Sequence, residues 1–246
     1  MSALVETPQG VGGVDTECTL VIESITKRFG GVVALRDVSF GVPRGEIVGL
    51  LGANGSGKTT MLNIVSGSHK PTAGSIFFEG QNIAGRNPES VASLGVARTF
   101  QQSMTFATIS VRENLRIVTR DPEKIQTVSD RLGLSDHLDV QAGSLSHGLQ
   151  RLLGVGLALL TSPSLLLLDE PAAGLAHADS AMLAETLSGL RSDGLTMVVV
   201  DHDMDFVLPL SNRVVVLNAG ELLFTGSAAD MRNDQSVKEA YLGTAL

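Results

Sequence analysis

The sequence holds a single cysteine, Cys18, so no internal disulfide is possible and the fold has to be held by packing. A reducing, cytoplasmic compartment is the natural setting for such a chain. No histidine lies near Cys18 in sequence to lower its thiol pKa, and it reads as a small residue at the edge of an N-terminal arm. Positive charge is also scarce: 18 lysines and arginines face 26 aspartates and glutamates, a net charge of −8 over 246 residues. That sign excludes the basic stripe of a nucleic-acid groove. Long apolar runs are missing too. The longest, Leu152 to Leu160, is broken by Gly154 and Gly156 and falls far short of the roughly 20 residues that span a bilayer. Met1 to Thr16 lack the basic and apolar regions of a secretory signal. With 43% hydrophobic and 18% charged residues, the composition is that of a folded globular chain with one large domain or two small ones. Its low charge leaves room for an apolar docking surface on another protein.

Glycine is in excess: 27 of 246 residues, about 11% against an average near 7%, which suggests functional loops. There is no internal repeat and no low-complexity tract. Residues 1–18, with Pro8, Gly10, Gly12 and Gly13, read as a flexible tail before a domain over 19–246. Thr19 to Val42 alternate in the manner of two antiparallel strands turning at Gly30-Gly31, and Pro43-Arg44-Gly45 breaks the second. Glu46 to Leu51 read as a short buried strand, followed by a glycine loop and a helix from Lys58 to about Ser66. Ser110 followed by Glu113 is a helix-capping pair, and it opens a mostly helical stretch, giving a helical subdomain over about 103–161. Leu165 to Asp169 and Thr196 to Asp201 are apolar runs ending in acid, expected of central parallel strands, with a helix from about Ala178 to Arg191 between them. Arg213 to Leu217 and Glu221 to Gly226 form a hairpin about Asn218-Ala219-Gly220, and two short helices follow near Ser227 and Asp234.

The sharpest chemical signal is Gly52-Ala53-Asn54-Gly55-Ser56-Gly57-Lys58-Thr59, followed by Thr60. It matches the phosphate-loop pattern and sits between a strand and a helix, where that pattern acts. Backbone N–H groups of such a loop cradle phosphate oxygens, and the helix N-terminus adds positive potential. Lys58 would reach the β- and γ-phosphates of a nucleoside triphosphate, and Thr59 would offer a hydroxyl to Mg²⁺. The fold class is therefore α/β: a P-loop NTPase core sheet with an antiparallel β subdomain and an inserted α-helical subdomain. The second signal is Leu165-Leu166-Leu167-Leu168-Asp169-Glu170, which delivers two carboxylates at the end of a strand, the end where open α/β sheets bind ligands. Successive strand residues point opposite ways, so, in a regular strand, Asp169 would enter the Mg²⁺ shell while Glu170 faces the attacking water.

With these motifs in place, the chain resembles the ATP-binding subunits of ABC transporters from about Thr19 to Leu242. Leu145-Ser146-His147-Gly148 is similar to the family's signature motif, Gln101 in Arg98-Thr99-Phe100-Gln101 to its glutamine loop, and His202 to its switch histidine. Phe29 stands where the family places an aromatic residue against adenine. Taken singly, His202 is equally a loop or core histidine, Phe29 ordinary strand packing, and Ser146 a plain N-cap. The resemblance implies Mg²⁺-dependent ATP hydrolysis in a head-to-tail dimer. In that dimer, Ser146 and Gly148 of one subunit face the phosphate loop of the other, Gln101 joins Thr59 and Asp169 about Mg²⁺, and Lys58, Glu170 and His202 act on the γ-phosphate. It also implies transmembrane permease subunits as partners, a solute-binding protein indirectly, and a place on the cytoplasmic face of the membrane. Met104 and Phe106 would meet the permease. Arg98 to Gln101, Val111 to Asn114, Glu170 to Leu175, Asp201 to Met204 and Glu239 to Gly243 resemble the branched-chain amino acid importers. Leu145 to Gly148 lean towards the importers of urea and short-chain amides.

Two positions depart from the family pattern. Leu149 stands where glutamine is usual after the signature glycine, with Gln150 one place later, and Ala176 where Asp or Asn usually follows Gly-Leu. Each loss would remove a hydrogen bond at the expected dimer interface, worth about 0.5 to 1.5 kcal/mol. They keep open a nucleotide-gated subunit of low turnover, paired with a more active homologue. A soluble ATPase of the same superfamily, serving DNA repair or cofactor assembly, is a third reading.

Overall fold

A computed structural model describes residues 17–99 and 105–242. The tail residues 1–16, Gln101, Met104 and Gly243 lie outside the described residues. Strands β1 (Cys18–Phe29) and β2 (Val32–Pro43) pair antiparallel across the Gly30-Gly31 turn, and β3 (Ile47–Leu51) leads through the glycine loop into helix α1 (Lys58–Val65). Then come β4 (Ala73–Phe78), β5 (Gln81–Asn82), α2 (Pro88–Ser93) and β6 (Val96–Thr99). The helical stretch holds α3 (Val111–Arg116), α4 (Pro122–Arg131) and α5 (His147–Leu159), with two short 3₁₀ turns between α4 and α5. Strand β7 (Leu165–Asp169), α6 (His177–Ser192), β8 (Thr196–Val200), α7 (Met204–Leu210), β9 (Arg213–Asn218), β10 (Glu221–Gly226), α8 (Ala228–Asn233) and α9 (Gln235–Leu242) complete the order.

The strands form two sheets. One is antiparallel, in the order β2-β1-β4-β5; the other runs β10-β9-β3-β8-β7-β6, parallel from β9 to β6 with β10 antiparallel at its edge. Residues of the central strands alternate between two hydrophobic cores. Ile47, Leu166, Leu168, Met197, Val199, Val214 and Val216 face the core built with the helices α3 to α7. Val48, Leu50, Leu165, Leu167, Val198, Val200 and Val215 face the other, closed by α1 and the antiparallel sheet. Burial on both faces is why these strands are uninterrupted apolar runs rather than alternating ones. Helix α1 thus lies between the sheets, its start aimed at the carboxyl ends of the parallel strands. No helix among the described residues is long and apolar enough to cross a membrane.

Local signals were decisive where they were strong. Ser110 and Glu113 form the full reciprocal capping box at α3. Ala219 (φ 48°) and Gly220 (φ 84°) both take positive φ in the β9-β10 turn, as a two-residue hairpin requires. Between residues 67 and 99 the sequence pattern marks no element, yet β4, β5, α2 and β6 are there. These are short elements of two to six residues; β4 owes its strand form to pairing with β1, a contact remote in sequence, and β5 is a two-residue strand that closes a tight hairpin on β4. The start of α2 was legible in principle: Asn87 accepts from the Ser90 N–H and Pro88 opens the helix. Helix α7 was likewise not expected; Asp203 caps it by accepting from the Asp205 and Phe206 N–H groups at 2.9 and 3.3 Å.

Candidate functional site

The parallel order β3-β8-β7-β6 places four chain segments at one edge of the sheet. The glycine loop follows β3, His202 follows β8, Asp169 and Glu170 stand at the end of β7, and residue 100, at the end of β6, begins the segment outside the described residues. Positions 58 and 169 meet, and position 202 is carried to the same end of the sheet, only because of this order, and ligands of open α/β sheets bind at that end.

Two loop glycines are fixed by crowding from behind. A Cβ on Gly52 (φ 150°) would stand 2.3 Å from the Leu217 carbonyl oxygen, and one on Gly57 (φ 106°) 2.6 Å from the Leu35 side chain and 2.8 Å from the Ala34 carbonyl oxygen. The loop is therefore pressed onto β9 and β2, while Ala53, Asn54 and Gly55 are exposed above it. Ser56 turns inward, and its Oγ is buried without a hydrogen-bond partner. Lys58 is buried, its ammonium folded back to donate to the carbonyl oxygens of Gly52 at 2.7 Å and Ala53 at 3.0 Å. Burial pushes its pKa down, while the charges of Glu170 and Asp169 pull it up. Thr59 is exposed and Thr60 half-buried in the first turn of α1, where backbone N–H groups have no intrahelical acceptor.

The two carboxylates do not continue a regular strand. β7 ends at Asp169, and Glu170 takes φ 48°, a left-handed conformation that non-glycine residues seldom adopt, while its N–H donates to the Val200 carbonyl at 2.7 Å. Strand alternation therefore does not separate them; a backbone reversal does. The Asp169 carboxylate is buried and bonded at 2.7 Å to the guanidinium of Arg98 on β6. Asp201, fully buried, accepts from the N–H groups of Ala172, His202 and Asp203. It thereby joins the turn after Glu170 to the turn carrying His202, whose ring is 63% exposed. Sequence alone assigns no role to Arg98 or Asp201; Asp169 and Ala172, their partners in space, reveal one.

The remaining candidates lie apart. Phe29 is 44% exposed, with the Lys27 ammonium 4.7 Å above its ring and the His69 ring edge-on at 5.5 Å. Ser146 caps α5 by accepting from the Leu149 N–H at 3.2 Å. Gly148 packs on Asp179 of α6, where a Cβ would meet that carboxylate at 2.7 Å. Ala176 is the N-cap of α6 and supplies no side-chain bond. Phe106 is 58% exposed, yet its backbone is clamped at both ends by buried Asn114, which accepts from its N–H at 2.7 Å and donates to its carbonyl at 3.0 Å. Among the described residues no three His, Cys, Asp or Glu side chains gather as a metal cage. Magnesium at phosphoryl-transfer sites uses one or two protein oxygens plus phosphates, and the hard oxygen donors of Thr59 and Asp169 fit that chemistry.

The family model described as "ABC transporter" matches residues 35–173. The chain is 34% identical over 250 residues to the high-affinity branched-chain amino acid transport ATP-binding protein LivG of Salmonella typhimurium, covering 92% of this chain and 98% of LivG. It is 32% identical to BraF of Pseudomonas aeruginosa, a protein of the same description, with the same coverage. Among solved structures, an ATP-binding cassette of an ABC transporter in its ADP conformation superposes with a TM-score of 0.86 at 30% identity, over 92% of this chain and 99% of that one. A nucleotide-free cassette gives 0.85 at 30% identity, over 91% and 98%.

Proposed function

The chain belongs to the ABC transporter family, and on that premise we propose that it is the ATP-hydrolysing subunit of an importer for branched-chain amino acids or a related small solute such as urea or a short amide. The observation that carries the hydrolytic reading is the meeting of Lys58, Asp169 and Glu170 at the mouth of the phosphate loop, close enough for both carboxylates to act on the lysine charge.

In this reading the Lys58 ammonium leaves the Gly52 and Ala53 carbonyls and turns to the β- and γ-phosphate oxygens of ATP. Thr59 and Asp169, with Gln101, would hold Mg²⁺, which supplies charge neutralisation at the transferring phosphoryl group. Glu170 polarises the attacking water, and His202, oriented by Asp201, steadies the γ-phosphate, so that catalysis is positioning plus electrostatics. Phe29 stacks on adenine, and the loop from Gly52 to Gly57, with Thr60, surrounds the polyphosphate. Ser146 and Gly148 complete the site of a second ATP-binding subunit, identical or homologous, across a head-to-tail dimer. Phe106, held outward by Asn114, meets a transmembrane permease subunit, which keeps the chain at the cytoplasmic face of the membrane; a solute-binding protein acts only through that permease.

Phosphate release by the purified chain with ATP and Mg²⁺ tests this. The parent protein turns over, Glu170→Gln binds ATP but loses about 10²- to 10⁴-fold in rate, and Lys58→Ala loses binding. Equal rates for parent and Glu170→Gln would favour the low-turnover, nucleotide-gated subunit that Leu149 and uncapped Ala176 suggest.

A further inference from the structure

Arg98 joins three parts of the molecule through one guanidinium. One of its terminal nitrogens donates to Asp169 Oδ2 at 2.7 Å, and the other to Asn63 Oδ1 at 2.7 Å and Ser66 Oγ at 3.2 Å. Both members of the ion pair are at least nine-tenths buried. The placement follows from the sheet: Arg98 lies opposite Leu167 in the parallel register of β6 and β7, and Leu167 faces the core that contains α1. Its side chain therefore crosses to α1 on the face that Asp169, two residues after Leu167, shares. Asn63 in turn stands four residues after Thr59, so the two occupy one face of α1. Arg98 thus connects the carboxylate of Asp169 to the helix face that carries the Thr59 hydroxyl.

We propose that Arg98 is a positioning residue that sets the spacing between the Asp169 carboxylate and the Thr59-bearing face of α1, so that the two oxygens offered to a divalent cation are in place before nucleotide arrives. The inference rests on the functional reading above and adds to it a residue that touches neither nucleotide nor metal. A planar, forked group is needed because the two sets of acceptors lie on different elements; a lysine ammonium in the same cavity keeps the charge but has no second arm.

The test uses the Glu170→Gln chain, to suppress turnover, and reads ATP affinity in EDTA and Mn²⁺ affinity in the presence of ATP, by calorimetry and electron paramagnetic resonance. Introducing Arg98→Lys is expected to leave ATP affinity in EDTA unchanged and to weaken Mn²⁺ by about 10- to 100-fold, the usual effect of losing a group that orients a metal ligand. Asn63→Ala, which keeps the ion pair but cuts the tie to α1, shifts Mn²⁺ in the same direction by less, and it carries the test should Arg98→Lys fail to fold. Unchanged Mn²⁺ affinity in folded Arg98→Lys overturns the proposal, because charge alone would then suffice. Equal loss of ATP affinity with and without metal also overturns it, because the defect would lie in the phosphate loop. If the chain with Arg98 intact binds no ATP under either condition, the functional reading falls, and this inference with it.

Discussion

Lys58 illustrates how one buried charge couples folding to pH and, in the proposed site, to nucleotide. Burial holds its ammonium below the ordinary lysine range, with Glu170 and Asp169 opposing that shift. The sign follows: below the folded-state pKa the charged lysine lessens stability, and the penalty is relieved as pH rises from that value towards the unfolded one. In the proposed complex, phosphate oxygens would favour the ammonium and raise its pKa again. ATP affinity is therefore highest while Lys58 in the free chain is protonated and declines as pH climbs through its lowered pKa. Calorimetric titrations across the alkaline range, at fixed ionic strength, check this; a flat profile contradicts it. The phosphate loop was fully legible in sequence because its spacing is local. Glu170's left-handed backbone, the partners of Arg98 and the bond from the Ala172 N–H to Asp201 were not, since each involves residues at least 29 positions apart or another strand.

Ala176 begins α6 with extended backbone (φ −68°, ψ 155°) and no side-chain acceptor. Ala176→Asp supplies one and is expected to stabilise the chain by about 0.5 to 2 kcal/mol, read as a raised urea midpoint with an unchanged slope. If this position also limits turnover, phosphate release rises with it. Asn114 works the other way: it is fully buried and holds Phe106 and Ser110 at once. Asn114→Ala removes both side-chain bonds to the Phe106 backbone and should cost about 1 to 3 kcal/mol in all, measured by denaturant unfolding. Sequence placed Asn114 in a recognisable stretch but gave no hint of its task, because an asparagine eight residues from its partner reads the same whether it faces solvent or clamps a loop.

For the whole molecule, the proposed dimer gives the clearest physical expectation. Ser146 and the phosphate loop belong to separate elements, and the face carrying exposed Thr59 and His202 and half-buried Glu170 would be covered by a second chain with ATP between them. Glu170→Gln with ATP should therefore run as a dimer by light scattering, and the same protein with ADP as a monomer. Because each chain carries a net charge of −8, association should strengthen as moderate salt screens the repulsion. A monomer under both nucleotides would remove the head-to-tail arrangement.

Sequence by itself determined what depends on neighbours along the chain: the strand-loop-helix about Lys58, the capping box at Ser110, the β9-β10 turn, and the doubly buried character of β3, β7 and β8. Spacing, capping chemistry and unbroken apolar runs act over a few residues, so they survive in one dimension. Only the tertiary structure decided the order β3-β8-β7-β6, the second sheet lying over α1, and the ties that Arg98, Asp201 and Asn114 make. Those follow from which buried faces fit against one another, and that fit exists only once strands far apart in the chain have paired.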